Sequence, residues 1–178
     1  MKHATFAAGL LILLSFSTSA QSLSSQDIKD QFVKDWERAK SYTLDYLNTM
    51  PADKYSFKAV DSIRSFAQQM LHLASGNIFL ISTASGDKVP FPRNLEQSPT
   101  AQTKDSVVSY VTQSYDFAIS SLKNFDPAKF GELVGGEKNK ATRFAFFLKA
   151  FEHQTHHRGQ TTIYIRLLGI RPPNERLF

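Results

Sequence analysis

Four stretches of about twenty residues carry apolar side chains at steps of three, four and seven, and no other pattern in the chain competes with them. The first, residues 27–48, has Ile28, Phe32, Ala39, Thr43 and Tyr46 on one stripe with Trp36 close by. Ser25 is its expected N-cap, and Pro51 ends it because proline lacks the N–H donor and restricts its predecessor. The second, residues 62–84, has Ile63, Phe66, Met70, Leu73, Asn77 and Leu80 on its stripe. Gly76 lies within it and offers room for another backbone to approach. The third, residues 103–124, is marked by Val107, Val111, Tyr115, Ala118 and Leu122. The fourth, residues 142–168, runs from Phe144, Phe147, Leu148 and Phe151 to Ile163, Leu167 and Leu168, with Gly169 placed as its C-cap glycine. Strand signals are poor, since no Asn-Gly or Asp-Gly pair is present; residues 130–140 read as an irregular connection or a short strand pair. The expected fold class is all-α, a four-helix bundle.

The first twenty residues stand apart from this pattern. A polar start at Lys2 and His3 leads into an apolar run from Ala4 to Phe16, then the small residues Ser17 to Ala20. That order is expected of a secretory signal peptide over residues 1–20, and the run is too short for a transmembrane anchor. Localisation is therefore expected to be secreted, in the periplasm, with no stable membrane insertion once the leader is removed. Residues 21–178 form the expected single domain, carrying 20 basic against 16 acidic residues with no basic run longer than two. A mild, scattered excess of this kind argues against a nucleic-acid surface. With no cysteine, the chain has neither disulfides nor thiolate ligands.

Histidine is the residue type that breaks the pattern. The domain has four, and three fall in Phe151-Glu-His-Gln-Thr-His-His-Arg-Gly-Gln160. His153 and His157 are four apart, so a helix stacks their imidazoles on one face, where two rings can share one transition-metal ion. Gln160 and Tyr164 continue that face, with His156 about 60° to one side. A polar stripe turned into a bundle is costly unless something satisfies it. An exposed, histidine-rich face would give the same spacing. The fourth histidine, His72, sits in the apolar segment Gln69-Met-Leu-His-Leu-Ala74 and can face the same interior, where bundles build metal sites from facing helices. It can equally be a hydrogen-bonded core residue.

Three segments carry a resemblance: Arg64-Ser-Phe followed by Leu71-His-Leu-Ala74, His153-x-x-x-His157-Arg-Gly-Gln160 with its tail Tyr164 to Pro173, and the loop Met50 to Phe57. Together they resemble the DinB-like family of bacterial four-helix-bundle metal proteins, over essentially all of residues 21–178. The resemblance implies one divalent transition metal, zinc, nickel or iron, held by His72, His153 and His157. His156, Gln160 and Tyr164 are then the candidates for residues around those ligands. Arg158 to Gln160 read as structural, with a close helix crossing at Gly159. The resemblance implies a metal-dependent hydrolase or a thiol S-transferase acting on a small molecule, and a possible homodimer. A non-catalytic metal-binding or interaction module is the alternative. Chemically, three neutral imidazoles leave the full charge of the ion and an open position for water or a thiol.

Overall fold

The structure is a computed structural model that describes residues 22–178; the expected leader, 1–20, lies outside the described residues. Four long helices form: α1 (Ser25–Thr49), α2 (Phe66–Ser85), α3 (Lys104–Asn124) and α4 (Arg143–Leu167). Each helix start is written locally. Ser24 and Asp27 make a reciprocal capping box on α1, so the cap falls one residue before the Ser25 expected from sequence. Ser65 and Gln68 make a second box on α2, and the side chains of Thr103 and Thr142 cap α3 and α4.

The expected start of α2 at residue 62 is corrected to Phe66. Ile63 obeys the helical period, yet it lies outside the helix and is exposed. The Ser65 cap decides the boundary, helped by two backbone bonds that tie the helix start to the preceding loop: Phe66 donates to Phe57 O at 3.0 Å and Ala67 to Tyr55 O at 2.8 Å. At the far end of α4, Gly169 takes φ +73°, which turns the chain so that the Ile170 N–H reaches back to Ile165 O at 3.2 Å. The 130–140 connection supplies one strand of a short pair, β1 (Leu133–Val134), antiparallel to β2 (Ala141–Thr142) just after it. No helix among the described residues is long and apolar enough to cross a membrane.

The helices pack in the ring order α1, α3, α2, α4, with α2 against α4 the most extensive pairing. The α1–α2 and α3–α4 connections therefore cross the bundle rather than join neighbours. The core holds Trp36 and Leu47 from α1, Leu71 and Ile78 from α2, Tyr115 and Leu122 from α3, and Phe147 from α4, all fully buried. The buried face of α4 changes character along its length. It begins with Phe146, Phe147 and Ala150, turns polar through Gln154, His157, Arg158 and Thr161, and ends with Tyr164 and Ile165. This polar stretch meets α2 through His157 and meets α1 and α3 through Arg158 and Gln154.

Candidate metal centre

His72 comes from α2 and His153 and His157 from successive turns of α4. The structure brings them together. Each offers one ring nitrogen within 4.8 Å of the others. Ring centroids are 5.2 Å apart for His72 and His153, 4.5 Å for His72 and His157, and 4.3 Å for His153 and His157. His156 stands outside this triangle, exposed at its edge, with its ring 4.8 Å from that of His157.

Neighbouring side chains fix the orientation of two of the three rings. His72 Nδ1 lies 2.6 Å from Glu96 Oε1. A carboxylate there accepts Nδ1–H and leaves Nε2 as the free lone pair, the arrangement that commonly supports a metal-bound imidazole. Glu96 Oε2 in turn accepts from Arg64 Nε at 2.6 Å. The Glu96 backbone carbonyl is held by Gln102 and Gln68, so the loop carrying it is pinned to α2. His157 Nδ1 is in hydrogen-bond contact with Gln69 Nε2 at 2.7 Å and Gln160 Oε1 at 3.1 Å, and Gln69 also bonds Gln160. Donation of Nδ1–H to Gln160 leaves His157 Nε2 free, whereas acceptance from the Gln69 amide puts the proton on Nε2, so metal binding selects the first tautomer.

His153 is different, because its Nδ1 is buried with no hydrogen-bond partner among the described residues. An uncompensated polar atom of this kind costs about 1–3 kcal/mol. A metal ion shared with its two neighbours satisfies such a ring, so the donor set fits a divalent transition ion. The ring reaches its place because Gly76, one turn beyond His72, has no side chain. A Cβ at Gly76 would lie 2.5 Å from His153 Nδ1 and 2.7 Å from Nε2. The room expected at Gly76 for another backbone is filled instead by the His153 ring. The helix crossing expected at Gly159 is not formed, since Gly159 is exposed and a Cβ there would meet nothing within 4 Å.

The remaining motif residues anchor α4. Tyr164 is buried and its hydroxyl donates to Arg64 O at 2.7 Å, tying α4 to the entry of α2. Arg158 is buried over the Tyr42 ring, 4.6 Å from its centroid, and donates to Gln154 Oε1 at 2.9 Å. Tyr115 also donates to Gln154 Oε1, at 2.8 Å, and lies 2.7 Å from the Thr43 hydroxyl. This network joins α1, α3 and α4 beneath the histidines. Burial pushes the Tyr115 hydroxyl up to about 12, so it remains a donor at any ordinary pH.

Burial, then the neighbouring histidines, push His153 down to about 4 and His157 down to about 3, against an ordinary 6.5. Both rings are neutral at pH 7, the state in which imidazole coordinates metal. The sign for stability follows. Between the depressed values and 6.5 the unfolded chain binds more protons than the folded one, so stability present above pH 6.5 is lost as pH falls toward 4. The Tm of the metal-free protein is expected to drop by roughly 5 °C between pH 7 and pH 5, measured by circular dichroism. A flat profile over that range would contradict the buried, neutral histidines.

A cleft of about 870 Å³ opens beside His157, lined by Arg64, Gln68, Glu96, His156 and Gln160 among others. Glu96 and the Arg64 side chain are functional candidates that sequence reasoning did not supply. Glu96 is 24 residues from His72 in a proline-containing loop, where no periodicity points at it. Gln69 was within reach, lying three residues before His72 on the same helix face.

The sequence profile of the DinB family matches residues 19–176. The chain belongs to the DinB family. It is 23% identical over 141 residues to the uncharacterized protein YjoA of Bacillus subtilis, covering 79% of this chain and 90% of that one. Two solved DinB-like structures share its fold. One, from Bacillus cereus, has a TM-score of 0.72 at 16% identity and covers 83% of this chain and 97% of its own. The other, YjoA of Bacillus subtilis, has a TM-score of 0.63 at 19% identity and covers 83% and 96%. Family membership and the three-histidine group together fit a DinB-like metal-binding protein.

Proposed function

We propose that this DinB family chain holds one divalent transition ion through His72, His153 and His157 and works as a metal-dependent hydrolase or transferase on a small molecule. One observation carries the catalytic reading over a purely structural metal: the three rings converge, and one of them, His157, lines an open cleft together with Glu96, the carboxylate that holds His72. Bound there, a divalent ion would lower the pKa of a coordinated water or thiol and polarise a carbonyl. The chain's own residues do the rest. Glu96 orients His72, Gln69 and Gln160 orient His157, and Gly76 gives His153 its place. The test is whether the site keeps an exchangeable position. Azide added to the cobalt(II)-loaded protein is expected to change the visible spectrum; an unresponsive spectrum would mark a closed shell and a structural metal.

Gly76→Ala is expected to turn the His153 ring away from its partners and weaken binding of zinc or nickel by about 10–100-fold, measured by calorimetric titration. The metal-free fold should hold, because alanine is up to ~1 kcal/mol better than glycine inside a helix. Unchanged metal affinity in this variant would remove His153 from the ligand set.

Residues 1–20 we propose as a cleaved secretory leader that delivers the domain to the periplasm. The motif order of that segment supports it, and an N-terminus at Gln21 on the exported protein is the expected result.

A further inference from the structure

Of the two cations that line the cleft, Lys58 and Arg64, only Arg64 is joined to the metal ligands, and it keeps an unused hydrogen-bonding edge. Arg64 spends Nε on Glu96, while its two Nη groups make no hydrogen bond among the described residues, and the side chain is 42% exposed. A guanidinium fork left free in a cleft suits a planar oxyanion, which it can bind through two parallel bonds. The charges lining the cleft point the same way. Lys58 and Arg64 balance Asp61 and Glu96, so the charge of an ion held by neutral imidazoles would leave the cleft with a positive excess.

We infer that the substrate carries a carboxylate, bound by the Nη edge of Arg64, a few bonds from the group that meets the metal. This rests on the open metal position proposed above. The spacing follows from Glu96, whose two oxygens touch Arg64 on one side and His72 on the other, placing the guanidinium one carboxylate away from a ligand ring. A monoanion fits better than a phosphate dianion. The Glu96 charge is only 2.6 Å from Arg64 Nε, so it both half-neutralises the guanidinium and repels a second negative charge. The cleft volume, about 870 Å³, is ample for such a molecule.

The test uses two metal-seeking probes on the cobalt(II)-loaded protein, acetohydroxamate and the monohydroxamate of succinate, which adds a carboxylate tail. Visible absorption titrations at pH 7 read binding of each. The tailed probe is expected to bind about 10–100-fold more tightly. Arg64→Gln should abolish that advantage, bringing the two probes to equal affinity whatever loss they share through Glu96, and Arg64→Lys should restore only part of it. Equal affinities in the unaltered protein, or an advantage that survives in Arg64→Gln, would overturn the inference. Equal weakening of both probes in Arg64→Gln would also overturn it, because Arg64 would then only orient Glu96. If neither probe perturbs the spectrum, the open metal position itself fails and the inference falls with it.

Discussion

The His153→Ala/His157→Ala variant is expected to bind no transition metal at concentrations that saturate the unaltered protein. Structural zinc sites are worth about 10–16 kcal/mol over four ligands, so each imidazole carries roughly 3 kcal/mol and its loss costs ~10²-fold in affinity. Two losses together lower affinity by about 10⁴-fold. The fold should survive the change, because the apolar core runs through Trp36, Tyr115, Leu122 and Phe147, away from these rings. Metal analysis after dialysis, paired with thermal melts, separates the two effects. The unaltered protein should contain about one equivalent and melt higher with metal, since a ligand that binds only the native state stabilises it. The variant should contain none and show no metal-dependent shift. One full equivalent retained in the variant would place the metal elsewhere.

Trp36→Ala should produce the largest loss of stability. Trp36 is fully buried on α1, with its ring edge-to-face against Tyr115 of α3 at 5.5 Å and Phe151 of α4 at 5.6 Å. It is the side chain through which three helices meet, and Phe151 lies two residues before His153. Truncating a buried aromatic of this size costs about 3–5 kcal/mol, which for a chain of this length lowers Tm by roughly 10–15 °C. Trp36→Phe should cost far less. It keeps an aromatic contact and removes an indole N–H that has no hydrogen-bond partner among the described residues. Urea unfolding of the metal-free proteins measures both. A loss under about 1 kcal/mol for the alanine variant would contradict the packing described.

The fold was legible because α1 and α3 carry unbroken apolar stripes, and serine and threonine stand at the helix starts to set their ends. The misreading at Ile63 shows the limit of periodicity. That residue keeps the spacing of α2, but the Ser65 capping box and the ties to Tyr55 and Phe57 place the boundary after it. The histidines were legible because a four-residue step on a helix defines a face regardless of what packs on it. Their setting was not. Glu96 reaches His72 from a loop, and contacts between a loop and a helix leave no local spacing to read. The two glycines teach the same lesson. Gly76 and Gly159 are both helical, yet only the bundle's packing decides that a side chain presses on the first and solvent lies over the second.

The central claim is that His72, His153 and His157 share one ion and leave a position open. X-ray absorption spectroscopy of the protein loaded with one equivalent of zinc or nickel tests it most directly. The expected result is a first shell with about three imidazole nitrogens, near 2.0–2.1 Å for zinc, completed by oxygen from solvent. A shell built from carboxylate oxygens with at most one imidazole, or failure to retain one equivalent of either metal, would contradict it.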